Sequence, residues 1–285
     1  MSEIINNVRE FKKKVMSKPY IDNPKISVCV LSFNNIDNID NLYSGLRSSG
    51  AEEIIICEDG SIDGSYEKWQ SLLTNRNDFL LRSNDIHEIR SYDRAVKLAR
   101  GEYVVLIQDD DQLPEDDGWM NEVISYFEKY PDMGLFGCFW GFYGILPGEG
   151  FKGVEYHKRK KNDFTYDNFK FSFVHEVNNG PMILRRSIYN DVGGFDMDFS
   201  PAGESGIEFD HAFALQCWLN GWKVGHKEYL IKKIPMPGEE WEGGTIKYGC
   251  NREKNRKKNR ELIRKKYEKH RNHINEMVNN SNKDL

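Results

Sequence analysis

Three apolar runs in the first 110 residues each end in a polar cluster. They are "KISVCVLSFNN" (25–35), "EEIIICEDGS" (52–61) and "EYVVLIQDDD" (102–111). Each run is apolar at consecutive positions, which fits a strand buried on both faces rather than one. A fourth, weaker run is "DFLLR" (78–82). Helix-like stretches separate them. Ile36, Ile39, Leu42, Tyr43 and Leu46 recur at helical spacing before Gly50; Tyr66 to Leu73 make a shorter segment; Ile89, Tyr92, Val96, Leu98 and Ala99 mark a third that ends at Gly101. Strand and helix in alternation predict an α/β fold: a mostly parallel central sheet with helices on both faces. Ligands of such sheets bind beyond the carboxyl ends of the strands. The clusters "SFNN", "EDGS" and "QDDD" are therefore expected to face one crevice.

The pattern changes after residue 115. Glu115, Asp116 and Asp117 precede a helix carrying Met120, Val123, Ile124 and Phe127, where acids suit the helix dipole. "MGLFGCFWGFYGIL" is β-like, "EYHKRKKNDF" is a basic loop, and "FVHEVNNGPMILRR" resumes strand character. "IEFDHAFALQCWLNGWKVG" reads as a helix stopped by Gly221, and "MPGEEWEGGTIKYG" as a flap hinged at Gly243 and Gly244. Residues 3–17 predict a short helical lead-in. The expected divisions are 1–24 (lead-in), 25–114 (the regularly alternating half), 115–235 (the second half) and 236–285 (flap and basic helical tail).

Charge is segregated although the net value is only -5. Residues 252–271 hold eleven Lys/Arg against three Glu. That stretch predicts a solvated amphipathic helix, or a contact with an anionic membrane or a nucleic acid. The five cysteines form no C-x-x-C and sit mainly in apolar surroundings, as expected of reduced, buried thiols in a cytoplasmic protein. No run reaches the ~20 apolar residues of a membrane span, so membrane contact is expected to be peripheral.

Three adjacent aspartates repel one another unless something neutralises them. Asp109 and Asp111, one residue apart at a strand end, can point the same way. Together they make an oxygen-rich site suited to Mg²⁺ or Mn²⁺, and such ions bridge diphosphates. Phe33 suits stacking on a base or packing in the core, and Asp59 suits accepting from a base N–H or forming a turn with Gly60. The phosphate loop, the G-x-G-x-x-G turn and the G-x-S-x-G elbow are all missing from the sequence.

The order and spacing of these motifs resemble the nucleotide-sugar half of family 2 glycosyltransferases of the GT-A fold. Ser32-Phe33-Asn34 matches the family's first turn, and Glu58-Asp59-Gly60-Ser61 its Asp-Asp-Gly-Ser. Gly101-Glu102-Tyr103 leads to the D-x-D motif, and "NNGPMILRRSIYNDVGGFDMDF" is similar to the acceptor-side segment. The likeness covers about residues 25–225. It implies an inverting, metal-dependent transfer from a nucleoside-diphosphate sugar, a UDP-sugar above all, to an acceptor hydroxyl. It also implies donor contacts at Ser32, Phe33, Asn34, Asp59, Asp109 and Asp110, and metal ligation by Asp109 and Asp111. The general base falls on Asp210, or on Glu208 two residues earlier.

The chain departs from the family pattern in places. Glu58 replaces the first aspartate of the pair. Asp93 stands where many members have Asn, and Arg90 and Arg94 flank the position of a frequent arginine, so Arg90 and Asp93 are the donor-side candidates of that helix. The acceptor is expected to be carbohydrate-like: a glycan, a lipid-linked glycan or a modified nucleobase. Its candidate contacts are Trp140, Phe142, Tyr143, Trp218, Trp222 and Trp241. Two rival readings are a non-catalytic binding module of the same fold and a nucleotidyltransferase.

Overall fold

The computed structural model describes residues 2–84, 86–114, 116–146, 149–153, 169–200, 203–229, 232–233 and 251–285. The flap 236–249, with Trp241, and the basic loop 155–164 lie outside the described residues. The first half alternates as expected: α1 (Ser2–Met16), β1 (Ile26–Ser32), α2 (Ile39–Ser48), β2 (Glu53–Glu58), α3 (Ser65–Leu72), β3 (Phe79–Arg82), α4 (His87–Leu98) and β4 (Tyr103–Gln108). There follow β5 (Asp111–Gln112), α5 (Gly118–Lys129), β6 (Met133–Gly137), β7 (Gly141–Phe142), β8 (Phe151–Lys152), β9 (Ser172–Phe173), β10 (Glu176–Val177) and β11 (Met182–Arg185). The last elements are α6 (Arg186–Asp191), α7 (Phe209–Leu219), β12 (Lys223–His226), β13 (Lys232–Lys233), α8 (Arg252–Tyr267) and α9 (Arg271–Lys283).

The main sheet has eight strands in the order β3-β2-β1-β4-β11-β6-β12-β9. β1 pairs parallel with β2 and β4, and β2 pairs parallel with β3. β11 runs antiparallel between β4 and β6. All six residues of β2 and the first five of β4 are buried. Helices cover both faces of these strands, so no position is left for the polar side of a half-exposed strand.

The amino ends of the strands are tied by a buried acid. Glu53 accepts from Ser27 Oγ (2.5 Å) and from the Arg100 amide and Nε (2.8 Å each). Gly101 lies against this knot: a Cβ there would meet Ser27 N at 2.6 Å. α4 itself ends at Leu98 rather than at Gly101, and that close approach is why glycine stands in the turn before β4. A mixed-charge cavity lined by Lys25, Arg100, Glu102 and Arg186 opens at this end, away from the polar strand ends.

Ahead of α5, the acids sit just outside the helix rather than in its first turn. Asp117 is the N-cap residue, and Asp116 Oδ1 accepts from the Gly118 amide (2.8 Å). α1 forms where expected and leaves Ile4, Val8 and Phe11 exposed.

The basic stretch is a docked helix, not a wholly solvated one. Asn255, Asn259, Ile263 and Tyr267 of α8 are buried. Asn259 Nδ2 donates to the carbonyls of Phe199 (2.8 Å) and Ile207 (2.6 Å), and Asn255 Nδ2 to Glu204 (2.7 Å). Lys266 pairs with Asp196 and Asp198 (2.5 and 2.7 Å). Lys254, Lys257, Lys258, Arg264 and Lys265 face solvent on the other side. One face of the helix thus holds the loop that leads into α7, and the other remains cationic.

Replacing Asn259 with Ala strands two carbonyls, a loss of about 1–3 kcal/mol for buried groups. Urea unfolding of Asn259→Ala should show a lowered midpoint with an unchanged slope.

Candidate active site

The register of the parallel strands brings the polar clusters together. Leu31 lies beside Gln108 on one side and Cys57 on the other, and Ser32 lies beside Glu58. The turn after β1 is then closed by side chains. Ser32 Oγ accepts from Trp69 Nε1 (2.9 Å). Asn34 adopts φ +49°, a left-handed conformation that asparagine tolerates better than most residues. Its amide donates to Ser61 Oγ (2.9 Å), and its Oδ1 accepts from the Ile62 amide (2.8 Å). Ser32 and Asn34 therefore build the turn, and Phe33 between them is half-buried at the strand edge.

Asp109 joins this turn to β4. Its Oδ2 accepts from the Phe33 amide (2.7 Å), and its carbonyl accepts from Asn35 Nδ2 (2.9 Å) and Asn38 Nδ2 (2.6 Å). Asp110 is half-buried, whereas Asp111 is fully buried, its Oδ2 accepting from the Gln108 amide (2.9 Å). Burial, and secondarily the charge of Asp111, pushes the Cys138 thiol up. The triplet is thus split by depth.

Glu58 and Asp59 also divide. Glu58 is fully buried and reaches both the Ser61 amide (2.5 Å) and Arg82 Nε (3.4 Å), which accounts for the longer side chain. Asp59 is 3% exposed and accepts from Ser83 Oγ (2.8 Å) and the amides of Ile86 (3.0 Å) and His87 (2.9 Å). It caps α4 from a different loop. Three of about four carboxylate lone-pair sites are thus used by the protein. On α4, Arg90 donates to the Ser200 carbonyl (3.2 Å), while Asp93 takes the Tyr189 hydroxyl (2.9 Å) and pairs with Lys97 (2.8 Å). Arg90 thus holds the loop before α7, and Asp93 ties α4 to α6.

The opposite wall is the start of α7. Glu208 holds φ +71° at its N-cap, a left-handed conformation costing a non-glycine residue about 1–3 kcal/mol. Its Oε1 takes Arg260 Nε of α8 (2.9 Å), and Arg256 lies at 3.9 Å. Asp210, in the first turn, accepts from the Asn179 amide (2.6 Å). His211 is buried with Nδ1 on Glu176 (2.9 Å) and Nε2 at 3.5 Å from Glu208 and 3.9 Å from Asp210. Burial disfavours a charged His211, but Asp210, Glu176 and Glu208 outweigh it and raise its pKa to about 10. Burial likewise pushes the Glu176 carboxyl up to about 7, against the pull of His211. The raised pKa favours an imidazolium at His211 at neutral pH, with Glu176 close to its midpoint.

The two walls are linked. Asn179 lies beside Tyr92, whose hydroxyl donates to the Ile107 carbonyl at the end of β4 (2.8 Å). The site therefore brings together Ser32, Phe33, Asn34, Asp59, Asp109, Asp110 and Asp111 on one side and Glu208 and Asp210 on the other. Glu176, His211 and Asn179 were not singled out in sequence, since polar residues in "HEVNNG" and "FDH" give no period to read. Of the aromatic candidates, Trp218 is core, its Nε1 donating to the Val174 carbonyl (3.0 Å). Phe142 packs on His211 with ring centroids 4.8 Å apart.

Among the described residues there is no group of three or more His, Cys, Asp or Glu that can hold a metal. A pair of aspartates is still the donor set expected of a Mg²⁺ or Mn²⁺ that keeps substrate phosphates in its shell.

The model of the family described as "Glycosyl transferase family 2" matches residues 27–193. That is more than half of the chain, and it includes the three aspartates 109–111 and residues 178–193.

The chain belongs to glycosyl transferase family 2.

The chain is similar to the crystal structure of S. aureus TarS 1-349 in complex with UDP-GlcNAc. The TM-score is 0.52 at 15% identity, covering 79% of this chain and 61% of that one. A second structure of S. aureus TarS 1-349 gives 0.48 at 16% identity, covering 71% and 57%. The chain thus spans about six-tenths of the structures it matches. The first likeness supports the GT-A fold alone. No curated protein matches the chain. No helix among the described residues is long and apolar enough to cross a membrane.

The raised His211 pKa makes a signed prediction. A group that is harder to deprotonate when folded stabilises fully below its unfolded pKa near 6.5, and that contribution is lost as pH rises towards 10. The stability gap between the wild type and His211→Gln should therefore shrink from pH 6 to pH 10, as read by urea midpoints.

Proposed function

We propose that this family 2 glycosyltransferase moves a hexosyl or pentosyl group from a nucleoside-diphosphate sugar, UDP-linked, to a carbohydrate-type hydroxyl with inversion. The observation that carries the reading is the convergence of Asp109 and Asp111 with Asp210 across the Asn179–Tyr92 link. Uracil is favoured as the base because Asp59 keeps one acceptor position for an N–H and Phe33 borders the same turn. Asp109 and Asp111 would hold Mn²⁺ or Mg²⁺. When bound, such an ion supplies positive charge to the departing diphosphate.

Asp210 is the general base of this reaction. It lies in the first turn of α7, where the helix dipole favours a carboxylate. Glu208 is less suited, because Arg260 and Arg256 already occupy it. The acceptor O–H proton passes to Asp210 as its oxygen bonds to the anomeric carbon, and the carbon–phosphate-oxygen bond breaks. One displacement inverts the centre with no covalent sugar–enzyme intermediate.

A thermal-shift screen of nucleotide sugars with and without Mn²⁺ tests donor and metal together. A UDP-sugar should stabilise the protein most, and only with the ion. Asp210→Asn should retain donor binding and lose about 10²–10⁴-fold in kcat; full activity would remove Asp210 from the mechanism. Asp111→Ala should abolish Mn²⁺-dependent UDP binding in calorimetry, whereas Asp110→Ala should weaken it least of the three.

A further inference from the structure

Other buried asparagines among the described residues spend their side-chain N–H groups on backbone or side-chain oxygens. Asn38 Nδ2 donates to Asp109, Asn77 to Ile21, Asn255 to Glu204, and Asn259 to Phe199 and Ile207. Asn179 is less fully used. It is 4% exposed, its Nδ2 is in hydrogen-bonding contact with the Tyr92 hydroxyl oxygen, and its Oδ1 has no hydrogen-bond partner. Buried polar groups are nearly always satisfied, so an amide oxygen and a second N–H left open call for an explanation.

Its backbone is fully engaged. The Asn179 amide donates to Asp210 Oδ2 (2.6 Å), and its carbonyl accepts from Asn178 Nδ2 (2.9 Å). Asn178 is anchored in turn, its Oδ1 accepting from the Trp140 amide (2.8 Å) and its own amide donating to the Trp140 carbonyl (3.2 Å). The side chain is thus held beside the Tyr92 hydroxyl, which has already given its proton to Ile107. Asp210 lies on one side, and the strand leading to Asp109 lies on the other.

We propose that the side-chain amide of Asn179 binds a pair of adjacent sugar hydroxyls at the centre of this site. The inference rests on the transfer reaction proposed above, which requires a sugar between Asp210 and the diphosphate. The chemistry selects the ligand. A primary amide offers a donor and an acceptor together. Neighbouring hydroxyls present an oxygen to accept and an O–H to give, whereas a phosphate only accepts. The hydroxyls belong either to the transferred sugar or to the acceptor.

Asn179→Leu keeps the approximate shape and removes both polar ends. The amide gives up only its contact with Tyr92, so replacing it with an apolar group should leave Tm close to that of the wild type. UDP release from UDP-GlcNAc and UDP-glucose, with water or a panel of free saccharides as acceptor, should fall at least about 100-fold in kcat/KM, as expected when a built hydrogen-bonding site loses its partner. Calorimetry in Mn²⁺ separates the two sources. If the amide reads the donor, the affinity advantage of UDP-sugar over UDP shrinks in the variant. If it reads the acceptor, that advantage holds and the saccharide KM rises. A variant within threefold of the wild type overturns the inference, as does one whose Tm drops by several degrees with its activity loss recovered on cooling. Asp210→Asn, assayed alongside, distinguishes the two failures. Full activity there overturns the base assignment; a wild type that transfers no sugar overturns the reaction and this inference with it.

Discussion

The contact on which the site depends is Asp109 against the turn after β1. Its carboxylate takes the Phe33 amide, and its carbonyl takes the amides of Asn35 and Asn38. A parallel sheet delivers strand ends to one edge but leaves the turns beyond them without ladder partners. These bonds supply the partners. They fix the donor-side turn relative to the aspartate triplet, and they occupy groups that would otherwise compete for water.

The second wall is held differently. Residues 196–200 and 203–208 are held by α8 through Asn255, Asn259, Arg260 and Lys266. A cationic helix suits this place because the loop presents Asp196, Asp198, Glu204 and Glu208. The family match ends at residue 193, so α7 with Asp210 and the helix bracing its loop both lie beyond it. Asp210 thus sits on a helix whose approach is set by the carboxyl-terminal part of the chain.

Charge within the second wall is balanced by burial as much as by pairing. Against the effect of burial, the acids around His211 raise its pKa, and Glu176 tolerates full burial because His211 faces it. A lone buried carboxylate would be costly; paired with an imidazolium it becomes part of the support under Asp210. This arrangement explains why Glu208 and Asp210, two residues apart, have different neighbours: one is turned to the arginines of α8, the other to the backbone of Asn179.

The sequence by itself determined the parallel half of the sheet and the shared edge of its polar turns. Consecutive apolar residues bounded by turn formers admit few other arrangements, and the motif order carried the family. The tertiary structure decided what each polar residue is spent on. It gave Asp59 to the cap of α4, Asp93 to Tyr189 and Lys97, Glu208 to Arg260, and the inner face of the basic stretch to an acidic loop. It also brought Glu176, His211 and Asn179 to the site. Those roles depend on contacts between residues tens of positions apart, and side-chain hydrogen bonds have no period along a chain from which to read them.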